Sequence, residues 1–98
     1  MTDDNYFFYL QEWYLEQCNG DWEHEFGIKI DTLDNPGWSL KIDLTGTPLE
    51  EKSFTKIKHD ITDDNWIRCW VAEKKFQAGG GPSNLTDLVR IFIEWVNS

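Results

Sequence analysis

Two alternating runs joined by one turn decide the fold: Phe26-Gly27-Ile28-Lys29-Ile30-Asp31-Thr32-Leu33, then Asp34-Asn35-Pro36-Gly37, then Trp38-Ser39-Leu40-Lys41-Ile42-Asp43-Leu44. In an extended chain successive side chains point to opposite faces, so Phe26, Ile28, Ile30 and Thr32 share one face and Lys29 and Asp31 the other. The second run repeats the pattern, with Trp38, Leu40, Ile42 and Leu44 against Ser39, Lys41 and Asp43. Asp-Asn-Pro-Gly supplies the residues that a tight connection needs. This predicts a β-hairpin with one apolar and one polar face.

Upstream, the period changes to that of a helix. Over residues 5–18, Tyr6, Phe7, Leu10, Trp13, Tyr14 and Cys18 fall on one broad face. Asp3 or Asp4 is suited to cap its start, and Asn19-Gly20 to end it. Phe8 and Leu15 fall outside the apolar stripe, beside Gln11 and Glu12. Downstream, a third strand is expected over Phe54–Ile61 and a turn at Thr62-Asp63-Asp64-Asn65. A fourth strand is expected over Trp66–Phe76, with Gly79-Gly80-Gly81-Pro82 as a connection. Leu85, Leu88, Val89, Phe92, Trp95 and Val96 then mark a closing helix over 85–97, with Asn84 and Asp87 approximating a capping box. The expected fold is a single α+β domain over 1–98. It has an N-terminal helix, a four-stranded antiparallel β-meander and a C-terminal helix, with both helices packed on the sheet.

A chain of 98 residues buries only about two thirds of its unfolded surface, so its core must be filled efficiently. Six Trp, six Phe and three Tyr do the filling. The net charge is −9, and residues 1–34 carry nine acids against the one base Lys29. A partner with an anionic backbone or surface needs a basic footprint, so nucleic acid and membrane are excluded as direct partners. Two cysteines, Cys18 and Cys69, are too few for a disulfide framework. The acidic start Met1-Thr2-Asp3-Asp4 is unlike a signal segment, which leads to the expectation of a cytoplasmic chain with reduced thiols.

No nucleophile elbow, phosphate loop or dinucleotide fingerprint is present, so no catalytic residue or cofactor is expected. Asp21, Glu23, His24 and Glu25 are ordinary metal-ligand types, but consecutive residues rarely converge on one ion and no second ligand pair is spaced to join them. Cys18 would need a nearby base to act as a nucleophile, and the C-terminal end of a helix disfavours a thiolate. Trp66-x-Arg68-x-Trp70 is more informative, because on a strand the three project from one face, opposite Ile67, Cys69 and Val71. Trp and Arg are the residue types most enriched at the energetic centres of interfaces. The same arrangement also suits an arginine stacked between indoles under a covering layer.

Trp13-Tyr14-Leu15, Cys18-Asn19-Gly20-Asp21-Trp22-Glu23-His24, Gly27-Ile28 and Leu33-Asp34-Asn35-Pro36-Gly37-Trp38 together resemble the immunity protein 53 family of bacterial polymorphic toxin systems. Asp64-x-Trp66-Ile67-x-Cys69, Phe76 and the terminal Leu85-to-Trp95 segment extend the resemblance over most of the chain. It implies a non-enzymatic cytoplasmic protein that binds and neutralises a cognate toxin domain. If that toxin is a nuclease, an acidic inhibitor could occupy its basic groove. Asp21, Trp22, Glu23 and His24 are the expected partner-binding residues, followed by Trp66, Arg68 and Trp70, with Trp22 equally suited to a core position. Two other readings compete: a thiol-dependent enzyme using Cys18, and a homo-oligomeric structural domain pairing through Phe8 and Leu15 or through the Trp-Arg-Trp face.

Overall fold

A computed structural model describes residues 5–98. Helix α1 spans Tyr6–Gln17 and a single helical turn, α2, spans Trp22–Glu25. The strands are β1 (Ile28–Leu33), β2 (Gly37–Asp43), β3 (Ile57–Thr62), β4 (Asn65–Ala72) and β5 (Lys75–Gly80), and helix α3 (Leu85–Val96) ends the fold. The expected cap at Asp3 or Asp4 lies outside the described residues. Asn5 holds the N-cap position of α1 without a capping side-chain bond.

The α+β class stands, but the sheet has five strands, and they do not form a simple meander. Their order is β1-β2-β5-β4-β3, all antiparallel. The strand expected over 66–76 breaks at Glu73-Lys74, where φ is 56° and 58°. Two consecutive residues at positive φ make the tight hairpin turn whose twist matches its strands. Contacts with the segment that crosses from β2 to β3 hold this costly conformation. The Lys74 carbonyl accepts from Leu44 N at 2.9 Å, and Lys74 Nζ lies 2.9 Å from the Glu50 carboxylate. The glycines expected to be a connection instead begin inside a central strand, since Gly79 and Gly80 belong to β5.

Both registers of the opening hairpin hold, with Ile28 opposite Ile42 and Ile30 opposite Leu40. On β1 this face leaves Ile30 exposed, whereas on β2 it meets α3. Leu40, Ile42, Cys69 and Phe76 are fully buried there with Leu88, Val89 and Phe92. Burying such side chains contributes roughly 1.5–3 kcal/mol each. Aromatic edges knit the layers, with Phe92 5.0 Å from Trp13 and 5.1 Å from Phe76, ring centre to centre. Three indole N–H groups tie loops to this core: Trp22 to Thr45 O at 2.8 Å, Trp95 to Ser53 O at 2.8 Å and Trp38 to Pro82 O at 3.0 Å. Asn84 is buried but does not cap α3 through its side chain. It accepts from Trp66 N at 3.2 Å and donates to Asn65 and Asp87, so it fastens the start of α3 to β4.

The broad apolar stripe read for α1 is narrower than expected. Leu10 and Trp13 are buried, whereas Phe7 and Tyr14, expected on the stripe, are exposed; Phe8 and Leu15 are exposed as their place outside the stripe implies. The helix leans on α3, which leaves its flank over β1 open.

Candidate functional site

Strand alternation puts Trp66, Arg68 and Trp70 on the sheet face opposite the buried Cys69, the side that neither α1 nor α3 covers. Register extends this face across all five strands. One row reads Lys29, Lys41, Gln77, Trp70, and the next reads Asp31, Ser39, Gly79, Arg68, Lys58. Gly79 matters because it has no side chain. The Trp66 ring lies over it, and a Cβ at 79 would sit 3.4 Å from ring atom Cζ3. A glycine in a central strand here makes room for a flat indole.

Arg68 is fixed in place. Its guanidinium carbon is 5.6 Å from the centre of the Trp66 ring, and Nη2 donates to both carboxylate oxygens of Asp60, at 3.1 and 3.2 Å. Clefts open on either side of it. One of about 400 Å³ is lined by Asn35, Asp60, Thr62, Asp63, Trp66 and Arg68, and another of about 460 Å³ by Lys56, Lys58, Arg68 and Trp70 with Phe54 and Val71. The face holds Lys29, Lys41, Lys58, Arg68 and Lys75 against Asp31, Asp43 and Asp60. In a chain of net charge −9, this surface carries an excess of bases.

The Asn19-to-His24 segment is built differently. Asn19 Oδ1 accepts from Asp21 N at 2.9 Å and Trp22 N at 3.0 Å, and the Glu23 carboxylate accepts from Asn19 N at 2.9 Å and Gly20 N at 2.8 Å. This is capping-box logic closed over one turn. Backbone N–H donors aimed at the Glu23 carboxylate stabilise its charged form and hold its pKa below the usual value. Trp22 is 5% exposed, edge-on to Trp13 at 6.1 Å and Tyr14 at 5.9 Å. Asp21 and His24 are exposed. His24 opens onto the sheet face through a depression that it shares with Lys29, Lys41 and Lys75.

Among the described residues no group of three His, Cys, Asp or Glu is arranged to hold a metal ion. Both Glu23 oxygens are engaged by backbone. Cys18 Sγ donates to Tyr14 O at 3.3 Å, and burial pushes the Cys69 thiol up to about 12. Among the described residues no helix is long and apolar enough to cross a membrane. Sequence reasoning put Trp66, Arg68 and Trp70 on one face, as the structure does, but did not bring Gly79 and the bases beside them. Their signal was the pairing of β5 with both β2 and β4, which a non-local contact creates.

This chain belongs to the immunity protein 53 family, whose sequence model matches residues 7–97. Membership of an immunity family points to a toxin-neutralising role and a toxin protein as partner. No curated protein and no solved structure matches the chain.

Proposed function

We propose that this protein neutralises a cognate toxin domain in the cytoplasm by stoichiometric binding, with the open sheet face as the docking surface. The observation that carries this reading is the Trp66-Arg68-Trp70 row, two indoles and a held guanidinium on a face without a covering layer. Such residues, once desolvated by a partner, dominate binding energy and set the dissociation rate. His24 supplies a polar contact at the rim of that face, and Asp21 an acidic contact on the adjoining helical side. Trp22 and Glu23 act from beneath, holding the loop that presents them. The inhibition is by occupation, since neither thiol sits beside a base in an arrangement suited to nucleophilic chemistry.

The charge layout sharpens the nuclease version of this reading. The open face bears five bases against three acids, while Glu12, Glu16, Asp21, Glu23 and Glu25 lie on α1 and around α2. A nuclease whose groove takes acidic groups in place of phosphate would therefore meet the helical side. A toxin seated on the open face would offer acidic and aromatic groups instead.

If a gene beside this one encodes a polymorphic toxin, co-expression with its toxin domain tests the proposal. Growth rescue and a joint peak on a sizing column are expected, and absence of both rejects the function. Trp70→Ala with Arg68→Glu should weaken the complex by more than about tenfold while melting stays near the parent value. A complex indifferent to both changes rejects the surface but leaves the function standing.

A further inference from the structure

The two edges of the sheet are finished differently. On β3, the register with β4 breaks between Asp60 and Thr62, and such a bulge twists an edge away from further pairing. On β1, pairing with β2 runs without a break from Ile28 to Leu33, and no described strand lies beyond it. The bond from Asp43 N to Gly27 O, at 3.1 Å, fixes which residues face which way. Gly27, Lys29, Asp31 and Leu33 turn their backbone groups toward β2, so Ile28, Ile30 and Thr32 turn theirs to the free edge.

We infer that β1 is the seam of a homodimer, in which β1 of a second copy adds antiparallel across a two-fold axis at Ile30. The sequence is self-complementary about that residue. With Ile30 opposite its own copy, Ile28 faces Thr32 and both belong to the outward-bonding set, so hydrogen-bonding parity is satisfied. In the same register Lys29 lies opposite Asp31 of the other copy, and Asp31 opposite its Lys29, giving two oppositely charged cross-strand pairs. Shifting the register by two residues in either direction moves Lys29 opposite Lys29 or Asp31 opposite Asp31. Charge thus selects one register among those that parity allows.

The two-fold axis is perpendicular to the sheet, so α1 of both copies lies on the same side of a ten-stranded sheet. That side carries apolar surface which the monomer leaves in water. Ile30 is 39% exposed, Phe7 41% and Tyr14 37%, and Phe7, Tyr14 and Ile28 line a groove of about 410 Å³ beside the strand. The interface is isologous, as closed two-fold dimers require. It does not depend on the toxin-binding reading: it shares Lys29 and Asp31 with the margin of the open face but leaves the Trp66-Arg68-Trp70 row free.

Sedimentation velocity across a concentration series should show a species of twice the 11.6 kDa chain mass. Lys29→Asp and Asp31→Lys each place like charges opposite one another in both pairs, and each should raise the dimer Kd by about tenfold or more. The double variant restores complementarity and should recover the parent Kd, and an equimolar mixture of the two single variants should form heterodimers. Circular dichroism checks that each chain is folded, and any unfolded chain is replaced by Ile30→Pro. That substitution removes an edge N–H and the Ile30 side chain but no backbone bond to β2, and should also yield monomer. A chain that is monomeric at every concentration overturns the inference, as does a dimer whose affinity ignores the charge swap.

Discussion

Trp22 and Trp66 stand in similar company, Asp21-Trp22-Glu23-His24 and Trp66-Ile67-Arg68-Cys69-Trp70, yet their surroundings assign them opposite duties. Trp22 is boxed between Trp13, Tyr14 and Phe26, its N–H spent on the Thr45 carbonyl, and the polar residues around it bond back to their own loop. Trp66 lies on a glycine floor with Arg68 above it, on the side of the sheet that the helices leave open. A dense motif in one place specifies a chain reversal. In the other, a sparse motif leaves aromatic surface on a face that neither helix covers.

The sharpest way to break this contrast is to truncate a tryptophan in each region. Trp22→Ala should cost about 3–5 kcal/mol of stability by denaturant unfolding, because it empties a packed site and orphans a loop carbonyl. Trp70→Ala should cost about 1 kcal/mol or less and act on binding instead. Equal losses of stability would erase the distinction.

A second test concerns the core beneath the open face. Cys69 keeps its proton up to about 12 in the folded chain, against an ordinary value of 9.0. The folded state therefore binds the proton more tightly, and the stability this contributes is present below pH 9 and lost as pH rises toward 12. The loss should approach about 1.4 kcal/mol per pH unit in that window. Cys69→Ala should be less stable at neutral pH but flatter above pH 9, measured by urea unfolding. A parallel alkaline limb would show that the thiol is not the titrating group.

A smaller loss, about 1 kcal/mol, is expected for Asn19→Ala, which removes the acceptor for Asp21 N and Trp22 N. The smallest concerns Glu23, whose lowered pKa means that its contribution is present above the usual carboxylate value and lost as pH falls through the folded one. Glu23→Gln should remove that part of the acid limb while retaining the exposed Asp21 and His24. If toxin binding fell while stability held, Glu23 would belong with the contact residues and not with the loop's supports.

The β1–β2 hairpin was legible because Asp34-Asn35-Pro36-Gly37 marks its turn in the residues themselves. The Glu73-Lys74 turn was not, since neither residue announces positive φ; the one trace of it is that the alternation of Ile67, Cys69 and Val71 stops there and Phe76 falls in the other register. The order of the strands was hidden for a different reason: β2 pairs with β5 only because of contacts more than thirty residues apart. Trp66, Arg68 and Trp70 were readable as a row from period two alone. Whether Trp22 was core or surface could not be read, because an indole with one polar atom suits either place, and the choice rests on Thr45 waiting across the loop.

The strand order also sets an assembly problem in time. The β1–β2 and β3–β4–β5 units can each close locally, but the sheet is complete only when β2 finds β5, with residues 44–56 spanning the gap. Loop closure opposes that encounter until the seam and α3 reward it. An unjoined unit would present an unpaired strand with an apolar face, so closing this seam also removes a site for self-association. Truncations at Leu40 and Phe76 should therefore slow folding more than they speed unfolding, while changes in β1 or β3 should do the reverse, as rates measured across denaturant would show.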